Sequence, residues 1–149
     1  MSAVAMRTRL IFPAAALLLA ATAPARAADD ELAGQLRVVA EANIRAYDAE
    51  DVNGVLATMH TKSPEYDRTQ KALPEQFRAM DLDVKLVDFK YMGHDDEFAV
   101  ARVKTGYDGP EGSGFQDNVT DSVMLFHKEG NAWKLWSDDV LGVQLGTAK

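Results

Sequence analysis

The sequence predicts an α+β domain in which helices come first and an antiparallel sheet follows. Three observations carry that prediction. Apolar residues recur at helical spacing up to about residue 80, alternation of the strand type takes over after Asp81, and the strand-like runs are separated by short turns such as Gly93-His94-Asp95-Asp96 and Lys128-Glu129-Gly130-Asn131. Helices followed by a meander pack as two layers, with the helices on one face of a curved sheet.

The first segment stands apart from this pattern. Arg7 and Arg9 form a short basic region, residues 10–23 are apolar apart from Pro13 and Thr22, and Ala25-Arg26-Ala27 supplies the small residues of a cleavage site. This is the layout of a secretory signal peptide cut after Ala27, and the apolar run is too short for a membrane anchor. The expected organisation is therefore a signal peptide over 1–27 and one domain over 28–149, with the product periplasmic or secreted. The chain has 149 residues and a net charge of −7; loss of Arg7, Arg9 and Arg26 leaves 122 residues with 13 basic against 23 acidic side chains, a net charge of −10. Such an acidic domain is a poor partner for nucleic acid or an anionic membrane. The sequence has no cysteine, which excludes disulfides, thiolate metal sites, a cysteine nucleophile and a lipid-anchor cysteine. An exported domain of this length then depends on its apolar core alone.

Along the mature chain, Leu32, Leu36, Val39, Ala40, Ile44 and Tyr47 predict a helix over 31–47, with Asp29 and Asp30 as caps. The register breaks at Asp48-Ala49-Glu50-Asp51. Val52, Val55, Leu56 and Met59 then predict a second helix over 52–60, capped by Asp51. Leu73, Phe77 and Met80 mark a third over 70–80 that Pro74 starts or interrupts. Strands follow near 84–91, where both faces carry apolar groups, then over 98–104, 118–127 and 132–140. A glycine-rich connection covers 106–114. Its glycines form no phosphate-binding pattern, and Ser113 has no nucleophile-elbow context.

The Asp48–Asp51 helix junction, Met59-His60 and the hairpin Phe126-His127-Lys128-Glu129-Gly130-Asn131-Ala132-Trp133-Lys134-Leu135 together resemble the nuclear transport factor 2-like superfamily, which includes ketosteroid isomerase-like and polyketide cyclase-like proteins. Phe115-Gln116-Asp117-Asn118 is similar to secreted bacterial members. The resemblance implies a cone-shaped fold, three N-terminal helices packed on a curved antiparallel sheet, with a pocket and often a homodimer formed through the sheet. It does not imply one reaction.

Ketosteroid isomerases use a general-base aspartate and two oxyanion donors, a tyrosine and a protonated aspartic acid. The resemblance puts the base at or beside Asp67, but the donor positions fall on Asn43 and Ser122, which argues against steroid isomerase activity. The same alignment lines the pocket with Asn43, Tyr47, Val55, Met59 and Tyr66 from the helical half, Asn118, Thr120, Ser122, Met124 and Phe126 from the third strand, and Trp133, Leu135, Ser137 and Asp139 from the last. Asp67 suits a general base when partly buried, but Arg68 and Thr69 beside it favour an exposed aspartate that caps the third helix. His60 suits an acid or base at the pocket mouth, but reads more readily as a helix C-terminal histidine that favours the negative end of the dipole. His94-Asp95-Asp96-Glu97 sits at a hairpin tip, where adjacent acids do not converge on one ion, so no metal is expected. His127 is expected to be exposed. Trp136 is expected on the convex side, opposite Trp133. No cofactor is implied. Three functions remain: an exported domain that binds a small apolar molecule or a partner, a cofactor-independent isomerase, cyclase or hydrolase using Asp67 or His60 as base with Asn43 and Ser122 as donors, or a purely dimeric interaction domain whose pocket is filled by its own side chains.

Overall fold

A computed structural model describes residues 23–146. Three helices, α1 (Ala23–Asp48), α2 (Val52–Thr58) and α3 (Tyr66–Ala79), precede four strands, β1 (Asp83–His94), β2 (Phe98–Asp108), β3 (Asn118–Glu129) and β4 (Ala132–Leu145). The strands form one antiparallel sheet in the order β1-β2-β3-β4, the expected meander. Residues 1–22 of the expected signal peptide lie outside the described residues. The expected cleavage point after Ala27 falls within α1, which begins earlier than the expected cap at Asp29-Asp30 because the alanine-rich segment before it propagates the helix.

The break between α1 and α2 is built from backbone hydrogen bonds. Asp51 N–H donates to the Ala46 carbonyl at 2.8 Å and Glu50 N–H to that of Tyr47 at 3.0 Å, while Glu50 takes the left-handed conformation at φ 53°. This pair of bonds closes α1 as a Schellman motif. Asp51 then caps α2 as expected, its carboxylate accepting from Gly54 N–H at 2.9 Å. A Cβ on Gly54 would stand 2.5 Å from the Asp51 carboxylate and 2.9 Å from Ala46 Cβ, so only glycine lets the two helices approach this closely. Asp48 Oδ1 accepts from Val84 N–H at 2.7 Å, which ties the end of α1 to the start of β1.

Helix α3 starts at Tyr66, four residues before the expected position, and Pro74 lies inside it. The preceding turn explains the early start. Ser63 Oγ accepts from Glu65 N–H at 3.0 Å and donates to the Trp136 carbonyl at 2.5 Å, anchoring the entry to α3 on β4.

The core lies between the helices and the concave face of the sheet. Leu36, Ala40 and Ile44 of α1, Val55, Leu56 and Met59, and Leu73 of α3 meet Val84, Ala99, Ala101, Val103, Met124, Phe126, Trp133 and Leu135. Phe126 is fully buried. Each outer strand slips its register twice. β1 is irregular between Leu86 and Asp88 and between Tyr91 and Gly93; β4 is irregular opposite Leu125/Phe126 and opposite Asp121/Ser122. Each slip shifts the side-chain alternation by one residue. Val84, Leu86, Phe89 and Tyr91 therefore share one face despite their uneven spacing.

Candidate functional site: a cavity in the cone

Between the three helices and the concave sheet lies a cavity of about 510 Å³. Ile44, Val55, Met59, Leu73, Met124 and Leu135 supply most of its apolar wall. Polar groups enter from α1 (Asn43, Tyr47), α3 (Arg68, Thr69, Gln76), β2 (Thr105, Tyr107) and β4 (Ser137, Asp138), with Glu65 at the start of α3. Asn43 donates to Thr58 Oγ1 at 2.7 Å, and Tyr47 donates to Gln76 Oε1 at 3.4 Å. Arg68 is paired with Glu65.

The rings of Tyr47 and Tyr107 meet edge to face with centroids 6.5 Å apart, and Phe77 packs against the other side of Tyr47 at 5.1 Å. Burial raises the pKa of both phenols; for Tyr107 the charges of Asp138 and Tyr47 push further in the same direction. Both remain protonated donors across the physiological range. Asp138 is exposed as a residue, yet enough protein atoms crowd its carboxyl that burial raises its pKa, aided by the charge of Asp139 and opposed by a hydrogen bond from the Ser122 hydroxyl. Among the described residues no cation forms an ion pair with Asp138.

Of the residues expected in the pocket, Asn43, Tyr47, Val55, Met59, Met124, Leu135 and Ser137 line this cavity. The others do not, for identifiable reasons. Phe126 and Trp133 are core residues that do not border the cavity. Ser122 is buried behind the wall and reaches it only through Asp138. Asn118 and Thr120 lie farther along β3 and bond each other at 3.3 Å. Tyr66 packs on the core from outside the cavity. Asp139 is displaced by the register slip after Leu135: Leu125 pairs with Ser137, but Phe126 pairs with Leu135, so Trp136 is the extra residue and Asp138 takes the inward position opposite Met124.

Neither expected base reaches the cavity. Asp67 is exposed on the first turn of α3. His60 is 4% exposed, but it is buried behind the β3–β4 hairpin. Its Nδ1 accepts from Lys62 N–H at 3.0 Å, which leaves the hydrogen on Nε2, 3.3 Å from the Lys128 carbonyl. Its ring packs edge to face on His127 at 4.7 Å and Trp136 at 5.0 Å. This is a structural histidine with both nitrogens engaged. His127 is half-buried between Phe98 and Trp136, so it is less open than expected. At the β1–β2 hairpin, Asp95 accepts from the backbone of Glu97 and Phe98, which lowers its pKa, and His94 Nδ1 lies 2.5 Å from the Tyr91 hydroxyl.

The residues that sequence reasoning missed are Tyr107, Thr105 and Asp138 on the sheet and Arg68, Thr69, Leu73 and Gln76 on α3. The signal for the first two was present: the inward alternation Ala99, Ala101, Val103 continues to Thr105 and Tyr107 once β2 is extended beyond Lys104.

Helices over a bent four-stranded meander, enclosing a cavity, make a nuclear transport factor 2-like fold, and solved structures with that fold superpose on this one. A nuclear transport factor 2-like protein of unknown function from Shewanella oneidensis MR-1 matches with a TM-score of 0.62 at 9% identity, over 72% of this chain and 96% of its own. A ketosteroid isomerase-like protein from Erwinia carotovora atroseptica SCRI1043 matches with a TM-score of 0.60 at 15% identity, over 76% and 98%. A hexachlorocyclohexane dehydrochlorinase matches with a TM-score of 0.53 at 8% identity, over 83% and 95%. The chain belongs to the family described as the C-terminal domain of the anti-sigma-I factor RsgI9, which matches residues 38–145. No curated protein matches the sequence.

Proposed function

We propose that the mature chain is an exported module that binds a small, largely apolar molecule in its cone. The observation that carries this reading is the cavity of about 510 Å³, with aliphatic walls and a few convergent polar groups. Its size and lining are those of small-ligand sites. The structural relatives fit the same reading: one is a ketosteroid isomerase-like protein and another a hexachlorocyclohexane dehydrochlorinase, both named for small, largely apolar molecules. The family name, the C-terminal domain of an anti-sigma factor, suits a binding module attached to a regulator better than a catalyst.

The enzymatic reading with Asp67 or His60 as base draws no support from the cavity, since neither side chain lines it. Export rests on the sequence of residues 1–27, and a homodimer through the sheet on the superfamily resemblance.

Two measurements test the reading. Nile red, a neutral apolar dye, is expected to gain fluorescence on binding the protein, and Leu73→Trp, which fills the cavity, is expected to abolish the gain while the melting transition persists. No gain with the unmodified protein refutes the pocket. Mass spectrometry of the exported product is expected to show a chain beginning at Ala28; an uncut chain retained in the cell refutes export.

A further inference from the structure

We propose that the ligand of this cavity carries a protonated amine, which pairs with the Asp138 carboxylate beside the rings of Tyr47 and Tyr107. The inference rests on the ligand-binding reading above and adds the chemical class of the ligand.

The argument is one of charge and placement. Two acids and one base line the cavity. Glu65 and Arg68 neutralise each other where α3 begins. Asp138 is left as the cavity's unbalanced charge, with no cation paired to it among the described residues. Lys85 is committed to Asp108 at 2.9 Å, Arg102 to Asp121 at 2.6 Å, and Lys134 to the Ala57 carbonyl at 2.5 Å. A carboxylate that is partly desolvated by its surroundings gains from a nearby counter-charge. The Ser122 hydroxyl offsets part of the cost of ionisation but adds no positive charge, and the neighbouring Asp139 increases it.

The groups around Asp138 suit an ammonium better than another anion or a neutral carbonyl. The Tyr47 and Tyr107 rings stand nearly perpendicular, 87° apart, and both border the cavity. Aromatic faces and phenol oxygens attract a cation held next to a carboxylate. The remaining aliphatic wall accommodates an apolar body attached to the amine. A ligand carboxylate in the same place would meet Asp138 with like charge, and Arg68, held by Glu65, offers it no free partner. Burial and the charge of Asp139 disfavour the ionised Asp138, and a bound ammonium would act in the opposite sense.

The test uses three ligands with one indole body and different heads: tryptamine, tryptophol and indole-3-acetate, each displacing Nile red from the purified protein at neutral pH. Tryptamine is expected to bind about tenfold tighter than tryptophol, with indole-3-acetate weakest, from one charge-assisted hydrogen bond. Asp138→Asn is expected to remove the tryptamine advantage and leave tryptophol within about twofold, while Asp139→Asn keeps the advantage. In the unmodified protein, carbon-detected titration of the Asp138 carboxyl is expected to show its pKa falling when tryptamine is added; this reading stands even if the substituted proteins fold poorly. Equal displacement by all three ligands, or an unmoved Asp138 titration under saturating tryptamine, overturns the inference and leaves the pocket standing. Failure of the dye itself to bind overturns the pocket as well.

Discussion

Asp138 illustrates how one side chain links stability to binding. Its pKa is raised in the folded chain, first by burial and then by Asp139, with Ser122 opposing. A carboxyl whose folded pKa exceeds its unfolded value near 3.9 adds stability below that value and loses it as pH rises through the folded pKa. Ionised Asp138 is therefore a standing cost at neutral pH. Asp138→Asn is expected to raise the melting temperature at pH 7 and to lose that advantage as the pH falls below about 4. A lower melting temperature at pH 7 would show that the carboxylate has a stabilising partner. His60 behaves in the opposite sense. Removing its ring strands the Lys62 N–H and opens a gap beside Trp136 and His127. His60→Ala is expected to cost about 1–3 kcal/mol in urea unfolding, with dye affinity in the cavity unchanged. Loss of binding without loss of stability would return His60 to the site. Neither role was readable from residue type. A histidine at a helix end and a carboxylate in a strand have the same appearance in the sequence whether they face a cavity, the core or water; their partners come from β3 and β4, far away in the chain.

At the scale of elements, local chemistry was legible and register was not. The α1–α2 junction was marked by Asp48-Ala49-Glu50-Asp51, and the structure shows why: a Schellman closure, then a cap from Asp51. Gly54→Ala is expected to destabilise the chain by about 1–3 kcal/mol, because its Cβ would strike Asp51 and Ala46. Glu50→Gly is expected to stabilise it by about 0.5–1 kcal/mol, since glycine holds φ 53° without the steric cost. Thermal unfolding of both variants checks the pair, and similar shifts of one sign would contradict the junction geometry. The existence and order of all four strands followed from alternation, but alternation assumes an unbroken ladder. The extra residue at Trp136 reverses it, which is why Asp138, not Asp139, faces inward, while Ser137 beside it still borders the cavity. The α3 wall was lost for another reason: the apolar positions Leu73, Phe77 and Met80 marked only 70–80, whereas the Ser63 turn, held by the Trp136 carbonyl, leads into the helix at Tyr66. Arg68 and Thr69 thereby become part of the wall.

At the scale of the whole molecule, the free edge of the sheet raises the question of assembly. The sheet ends at β4; Met59 and His60 bridge to Leu135 near its start, and beyond Trp136 its outer edge has no neighbouring strand among the described residues. The far end of that strand is also apolar: Val140 and Leu141 are 60% exposed, Val143 57% and Leu145 63%. Long apolar edges are avoided in monomers because they recruit further strands. A second copy is the occupant implied by the superfamily resemblance, and its association has a distinctive dependence on salt. Two copies of residues 28–149, each of net charge −10, would repel each other at long range, while a contact through residues 140–145 would be apolar. Screening weakens the repulsion and leaves the apolar term intact. Light scattering on the mature protein is thus expected to show a dimer whose dissociation constant falls as salt rises from about 0.01 M to 0.15 M. Leu141→Lys combined with Val143→Lys is expected to yield a monomer with its melting transition and dye binding intact. A dimer that weakens with salt would point to ion pairs on the sheet face, such as Arg102 and Asp121, as the contact instead of the β4 edge. A wild-type monomer at every salt concentration would remove the dimer altogether and leave the cone as the domain's functional surface.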